Sequence, residues 1–274
     1  MSRLPTIFAN LRAQERKALM PFIVGGHPRP GDTARLLPAL QRAGASVVEV
    51  GYPFSDPVAD GPVIAAAMHD ALALGNTVAS TNAEIAAARS AGATVGIVAM
   101  VSISIVHRVG VARFIEDAKA AGVDGFIFPD VPLEESAPIL DRVQQSGLTA
   151  SLLIAPTTSP ERAAQIAGAC TGFIYLLART GITGGASAPP PASRLPQLSD
   201  RIRLLRESSP LPIAIGFGIS TPAQVRSAVH EAGADAAIVG SALVKRLAES
   251  HSNGQDPVAL AETFTHELAT GLSR

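Results

Sequence analysis

A chain of 274 residues with 22 Lys or Arg against 23 Asp or Glu, net charge −1, has no basic block to hold nucleic acid or an anionic membrane. Its one cysteine, Cys170, excludes an internal disulfide framework and reads as a buried small hydrophobe, and its six histidines are scattered without metal-ligand spacing. No apolar run approaches the roughly 20 residues of a membrane span, and the start of the chain lacks a signal-peptide core, so a cytoplasmic protein without a metal is expected.

Residues 19–24 read as the first strand, and Asp32-Thr33 opens a helix over 34–42. A small residue and Gly then close each helix before the next strand, because glycine accepts the left-handed turn that ends a helix. Ala43-Gly44 precedes the strand 47–50, Ala91-Gly92 the strand 95–98, and Ala121-Gly122 the strand 125–128. Pro132 heads a helix over 133–145, and Ser146-Gly147 precedes the strand 150–154. Ser159-Pro160 heads a helix over 161–167, followed by strands at 173–177 and 212–215. Thr221-Pro222 heads a helix over 223–231, Ala232-Gly233 precedes the strand 236–239, and a last helix occupies 257–272.

Alternating short apolar strands and helices imply parallel βαβ units. Eight of them predict an α/β fold: one (β/α)8 TIM barrel domain over residues 1–274 with an extra C-terminal helix, the open doubly wound sheet being the alternative. The Gly- and Pro-rich stretch 181–193 reads as a lid on the catalytic face.

Barrel enzymes place their chemistry at the C-terminal ends of strands. Glu49 falls there, facing inward from an apolar run, where an ionised group costs several kcal/mol unless paired or wet. Asp60 follows in the next loop. Asp130 reads equally as a site residue or a helix cap, Asp56 and His27 as turn residues, and Tyr175 as site or core. Gly216-Phe217-Gly218 and Gly240-Ser241, after the last two strands, together form a phosphate-cradle pattern.

The run Glu49-Val50-Gly51-Tyr52-Pro53-Phe54-Ser55-Asp56-Pro57-Val58-Ala59-Asp60-Gly61-Pro62 resembles the signature of the tryptophan synthase alpha subunit family. The resemblance continues through Pro21-Phe22-Ile23, Asp130-Val131-Pro132-Leu133-Glu134-Glu135-Ser136, the stretch from Tyr175 to Gly184, Gly216-Phe217-Gly218-Ile219-Ser220 and Gly240-Ser241-Ala242. It implies a lyase of tryptophan biosynthesis that cleaves indole-3-glycerol phosphate to indole and glyceraldehyde 3-phosphate, a retro-aldol reaction without metal or organic cofactor. By the same matching, Glu49 and Asp60 are the acid/base pair. Phe22, Met100, Ile127 and Phe217 wall the indole, and Tyr175 packs beside Glu49. Thr183 steadies Asp60, and Gly184, Gly218, Gly240 and Ser241 hold the phosphate. The family's loop with Asp56 and Pro57 faces a beta subunit in an alpha2beta2 complex.

The chain departs from the family pattern at three places. Ser102 and Ser104 stand where Tyr and Asn are usual, His27 where Asp is usual, and Tyr52 where an aliphatic residue is usual. Because residues 102 and 104 border the subunit contact, two alternatives accompany the main reading: a stand-alone lyase releasing indole, and a non-catalytic barrel regulating a beta subunit.

Overall fold

Nine parallel strands of the computed structural model form a ring in the order β5-β4-β3-β2-β1-β9-β8-β7-β6. The structure describes residues 1–57, 60–178, 195–216 and 218–273. The strands are β1 (Ala18–Val24), β2 (Val47–Gly51), β3 (Gly96–Met100), β4 (Gly125–Ile127), β5 (Thr149–Ser151), β6 (Leu153–Ile154), β7 (Ile174–Leu177), β8 (Ile213–Gly216) and β9 (Ala236–Val239).

The predicted strand 150–154 is present but divided. Its first part pairs with β4 (Gly125 with Thr149), its second with β7 (Leu153 with Tyr175), and Leu152 stands between them. The Leu152 N–H donates to Cys170 Sγ at 3.3 Å. One extended run therefore serves as two half-staves and closes the ring, so eight staves give the expected (β/α)8 barrel.

Alternation along the strands separates two cores. Val48, Val50, Ile97, Ala99, Ile174, Leu176, Ala237 and Val239 pack outward against the helices. Val47, Val98, Met100, Ile127, Tyr175, Ala214 and Ile238 fill the barrel interior. Among the described residues the helices are α1 (Leu4–Ala13), α2 (Asp32–Arg42), α3 (Pro62–Ala73), α4 (Val78–Ser90), α5 (Ile103–Val109), α6 (Val111–Ala121), α7 (Leu133–Gln145), α8 (Pro160–Ala169), α9 (Leu195–Ser208), α10 (Pro222–Arg226), α11 (Ser241–Ser252) and α12 (Pro257–Ala269).

Two helix starts carry the expected side-chain caps, whereas α2 begins at Asp32 itself, after Gly31, without one. Ser159 accepts the Arg162 N–H ahead of α8, and Thr221 accepts the Gln224 N–H ahead of α10. The helix expected over 223–231 is α-helical only to Arg226 and continues as a wider π-helical turn, Ser227–Glu231. The last helix matches expectation, with α12 running into a 3-10 turn at Thr270–Leu272.

The floor of the barrel is sealed by α1, whose Leu4, Phe8 and Leu11 belong to the interior core. Below β4, the buried Asp124 carboxylate accepts from Arg89 Nη2 (2.7 Å), Arg3 Nη1 (3.0 Å) and the Ile97 amide (2.9 Å). The barrel is thus sealed, with a buried charge cluster, at the end opposite the candidate site. The C-terminal mouth is left for chemistry.

Candidate active site

Strand β2 delivers Glu49 to the interior because its neighbours alternate: Val48 and Val50 pack outward, while Val47 packs inward. Phe22 on β1 is its register partner, and Val98 on β3 flanks it on the other side. Glu49 is 0% exposed, and among the described residues neither carboxyl oxygen has a hydrogen-bond partner. Burial, and then the nearby charge of Asp60, hold its carboxyl well above the ordinary carboxylate range.

Asp60 ends the loop that β2 feeds, just ahead of Pro62 at the first position of α3. Burial pushes its carboxyl up to about 6. The Tyr175 phenol, on the inner face of β7, is pushed far up by burial and then by Glu49 and Asp60. The mutual influence brings these three groups together at one mouth. Tyr175 finds its place because Gly216 has no side chain: a Cβ there would lie 2.6 Å from the phenol oxygen.

Phe22, Met100 and Ile127 also face the interior, each under 9% exposed. Asp60 opens on a small cleft lined by Phe54, Asp56, Met68, Met100, Ser102 and Asp130, among others. Met68 and Ile64 were not singled out from sequence. The apolar spacing Ile64, Ala67, Met68, Ala71 on α3 is the i, i+3, i+4, i+7 signal that marks them as facing the core.

At the far side of the mouth, β9 runs through Gly240 into the start of α11. A Cβ at Gly240 would meet nothing nearer than Ile64 at 3.8 Å and Phe22 at 3.9 Å. Protein packing does not demand glycine there, and a side chain would occupy the mouth. Among the described residues no side chain at the N-cap bonds the first amides of α11. Ser241 is its first residue. Gly218 adopts φ +77, so its own turn accounts for the glycine. Thr183, Gly184 and Phe217 lie outside the described residues, as does the stretch 181–193.

Some expectations change. His27 is not a surface turn residue: it is 2% exposed, its Nδ1 lacks a partner among the described residues, and burial lowers its imidazole to about 4. Charges on three helices act on it: Asp70 of α3, His251 of α11 and Asp32 of α2. Asp130 stands three residues beyond β4 and caps α5 rather than its own helix. It accepts the Ser102 hydroxyl at 2.6 Å and the Ile103 amide at 3.0 Å. Ser102 in turn caps the Ser104 amide. The unusual Tyr52 borders the cleft, but its hydroxyl donates to Asn82 and its ring meets Phe114 edge-on. Asp56 is exposed and accepts the Ser55 hydroxyl, as a turn residue does. Among the described residues no cluster of three or more His, Cys, Asp or Glu could hold a metal, and no helix is long and apolar enough to cross a membrane.

The sequence profile of the tryptophan synthase alpha chain matches residues 8–272. The chain belongs to the tryptophan synthase alpha chain family. The alpha chain of Thermosynechococcus vestitus is 43% identical over 265 residues, covering 97% of this chain and 96% of that one. The alpha chain of Chloroflexus aurantiacus is 39% identical over 274 residues and covers 100% of both. Among solved structures, tryptophan synthase subunit alpha from Legionella pneumophila matches with TM-score 0.88 and 31% identity over 99% of this chain and 98% of that chain. Tryptophan synthase of Mycobacterium tuberculosis matches with TM-score 0.85 and 35% identity, over 99% and 98% of the two chains. These likenesses span the barrel from α1 to α12, so the alpha-chain assignment covers the mouth where Glu49, Asp60 and Tyr175 meet.

Proposed function

We propose that this alpha chain cleaves indole-3-glycerol phosphate to indole and glyceraldehyde 3-phosphate, with Glu49 and Asp60 as its acid/base pair. The observation that carries the reading is the buried Glu49 carboxyl on the interior face, without a hydrogen-bond partner among the described residues and with Asp60 acting on it. A carboxyl kept protonated in this way is equipped to donate a proton at neutral pH.

The steps follow from that difference in proton affinity. Protonated Glu49 gives its proton to C3 of the indole, and positive charge develops on the ring nitrogen. Asp60 accepts the N–H proton. The Glu49 carboxylate then takes the proton of the side-chain hydroxyl, the bond from C3 to the glycerol chain breaks, and its electron pair returns to the ring as Asp60 hands the proton back. Both acids end as they began. No outside oxidant, reductant or metal enters the balance.

Phe22, Met100 and Ile127 wall the indole, with Tyr175 beside Glu49; by likeness to the family, Phe217 joins the wall and Thr183 steadies Asp60. Gly240 and Ser241 supply amides at the start of α11 for the phosphate, with Gly184 and Gly218 by likeness. The space left by the absent side chain of Gly240 supports this placement. The partner is a beta subunit in an alpha2beta2 complex, docked on the loop that carries Phe54, Asp56 and Pro57. Nothing at Ser102 favours a stand-alone lyase: its hydroxyl is committed to Asp130 and Ser104.

The test is indole release from indole-3-glycerol phosphate by the purified chain, with and without a beta subunit. Release that the partner accelerates supports the reading. Absence of indole in both arms overturns it.

A further inference from the structure

We propose that Gly51 is a positioning residue for the lyase reaction, holding the Phe22 ring over the interior face of β2 just above Glu49. The inference rests on the preceding reading, in which Phe22 walls the indole site, and adds a residue that acts only through Phe22.

The geometry comes from two registers. Phe22 pairs with Glu49, and Val24 pairs with Gly51, so Gly51 lies one pleat nearer the barrel mouth than Glu49 on the same inward face. The Phe22 ring reaches up along that face. A Cβ on Gly51 would stand 2.6 Å from Phe22 Cζ and 2.9 Å from Cε2, well inside contact distance, and 3.4 Å from the methyl of Met68. At its root, Phe22 Cβ lies 3.9 Å from where a Gly240 Cβ would be. The side chain thus runs from beside Gly240, on one neighbour of β1, to Gly51 on the other, the strand carrying Glu49.

Two consequences follow for the chemistry. The ring's position fixes one wall of the indole cavity, so moving it misplaces C3 relative to the Glu49 carboxyl. The ring also covers β2 between Glu49 and the open mouth, so it helps to keep that carboxyl dry and protonated. A methyl group on residue 51 cannot share space with Cζ. It drives the ring into the cavity or toward Gly240, and either shift loosens the wall and admits water to Glu49.

The test compares Gly51→Ala, Phe22→Leu and the double variant with wild type, assaying indole release in the presence of a beta subunit across pH. Leucine ends at Cδ and lacks the atoms that would collide. Gly51→Ala is expected to lower kcat/KM by about 10- to 100-fold, mainly through KM, and to move the alkaline limb of the kcat profile to lower pH. The double variant is expected to match Phe22→Leu alone in both KM and alkaline limb, because the obstructing ring has gone. Unchanged KM and pH limb in Gly51→Ala overturn the proposal, as do losses that simply multiply in the double variant. Should Gly51→Ala fail to fold, a folded double variant equal to Phe22→Leu supports the contact, and an equally unfolded one overturns it. Failure of the underlying reading looks different: wild type releases no indole, or Phe22→Leu alone leaves KM untouched.

Discussion

Asp60, in the loop that follows the strand of Glu49, acts on it by its charge, and after burial it is the second cause of the high proton affinity of the Glu49 carboxyl. Asp60 itself is raised less, to about 6. Burial thus raises the proton affinity of both acids, and the Asp60 charge adds to that of Glu49, as a reaction that both donates and accepts protons can use.

Glu49→Gln keeps the shape and removes the transferable proton. Indole release should fall by about 10²- to 10⁴-fold, the usual worth of a positioned acid or base. Binding of a non-cleavable indole alkyl phosphate, measured by calorimetry, should stay close to wild type. Near-normal turnover would remove Glu49 from the mechanism.

The pH profile of kcat should be bell-shaped. Its acid limb should lie near 6, where Asp60 takes up a proton and can no longer accept one from the ring nitrogen. Its alkaline limb should come from deprotonation of Glu49. In Asp60→Asn the rate should be low and the acid limb gone; an acid limb that persists in that variant assigns it to another group.

Stability against pH should reflect Asp60 and Glu49 on one side and His27 on the other. Asp60 titrates near 3.8 when unfolded and near 6 when folded, so between these values the native state holds the extra proton and stability falls as pH rises. That contribution is about 3 kcal/mol over the window. His27 titrates near 6.5 unfolded and near 4 folded, so there the unfolded state binds the extra proton and stability rises with pH, again by about 3 kcal/mol. Glu49, which burial also holds well above its ordinary value, adds a second contribution of the Asp60 sign, so wild type should lose stability as pH rises through this range. On acidification His27→Asn should gain stability more steeply than wild type, and Asp60→Asn should gain less than wild type, as read from the slopes of urea midpoints. Parallel slopes in all three proteins would contradict both assignments.

Asp124→Asn removes the anion that pairs with Arg89 and Arg3 beneath the barrel. Breaking a buried pair in this way should cost about 3–5 kcal/mol of stability. Because the knot lies at the end opposite Glu49, the kcat of the folded fraction should be unchanged. Urea denaturation together with indole release checks both halves; a large fall in kcat would mean that the floor and the mouth are coupled.

Eight strands and the interior placement of Glu49 were legible in the sequence because both follow from local periodicity. Once 47–50 is a strand, its alternation decides the side each residue faces. The division of the fifth stave was not legible. Thr149 to Ile154 is uniformly apolar or small, and nothing local records that its two halves have different neighbours. His27 was misread for a related reason. Flanked by Gly26, Pro28 and Arg29 it has the composition of an exposed turn, and only the packing of α2, α3 and α11 around it makes it buried.

What the sequence by itself determined is which groups the protein carries and which way each strand turns them, since these depend on chemistry and on a repeat of two residues. What only the tertiary structure decided is their surroundings: the dryness of Glu49, the raised affinity of Asp60, and the Phe22 ring over Gly51. Each of those depends on segments distant in the chain excluding water from, or pressing upon, a single point. Proton affinity and contact are properties of that enclosure, and the enclosure exists only once the ring of strands has closed.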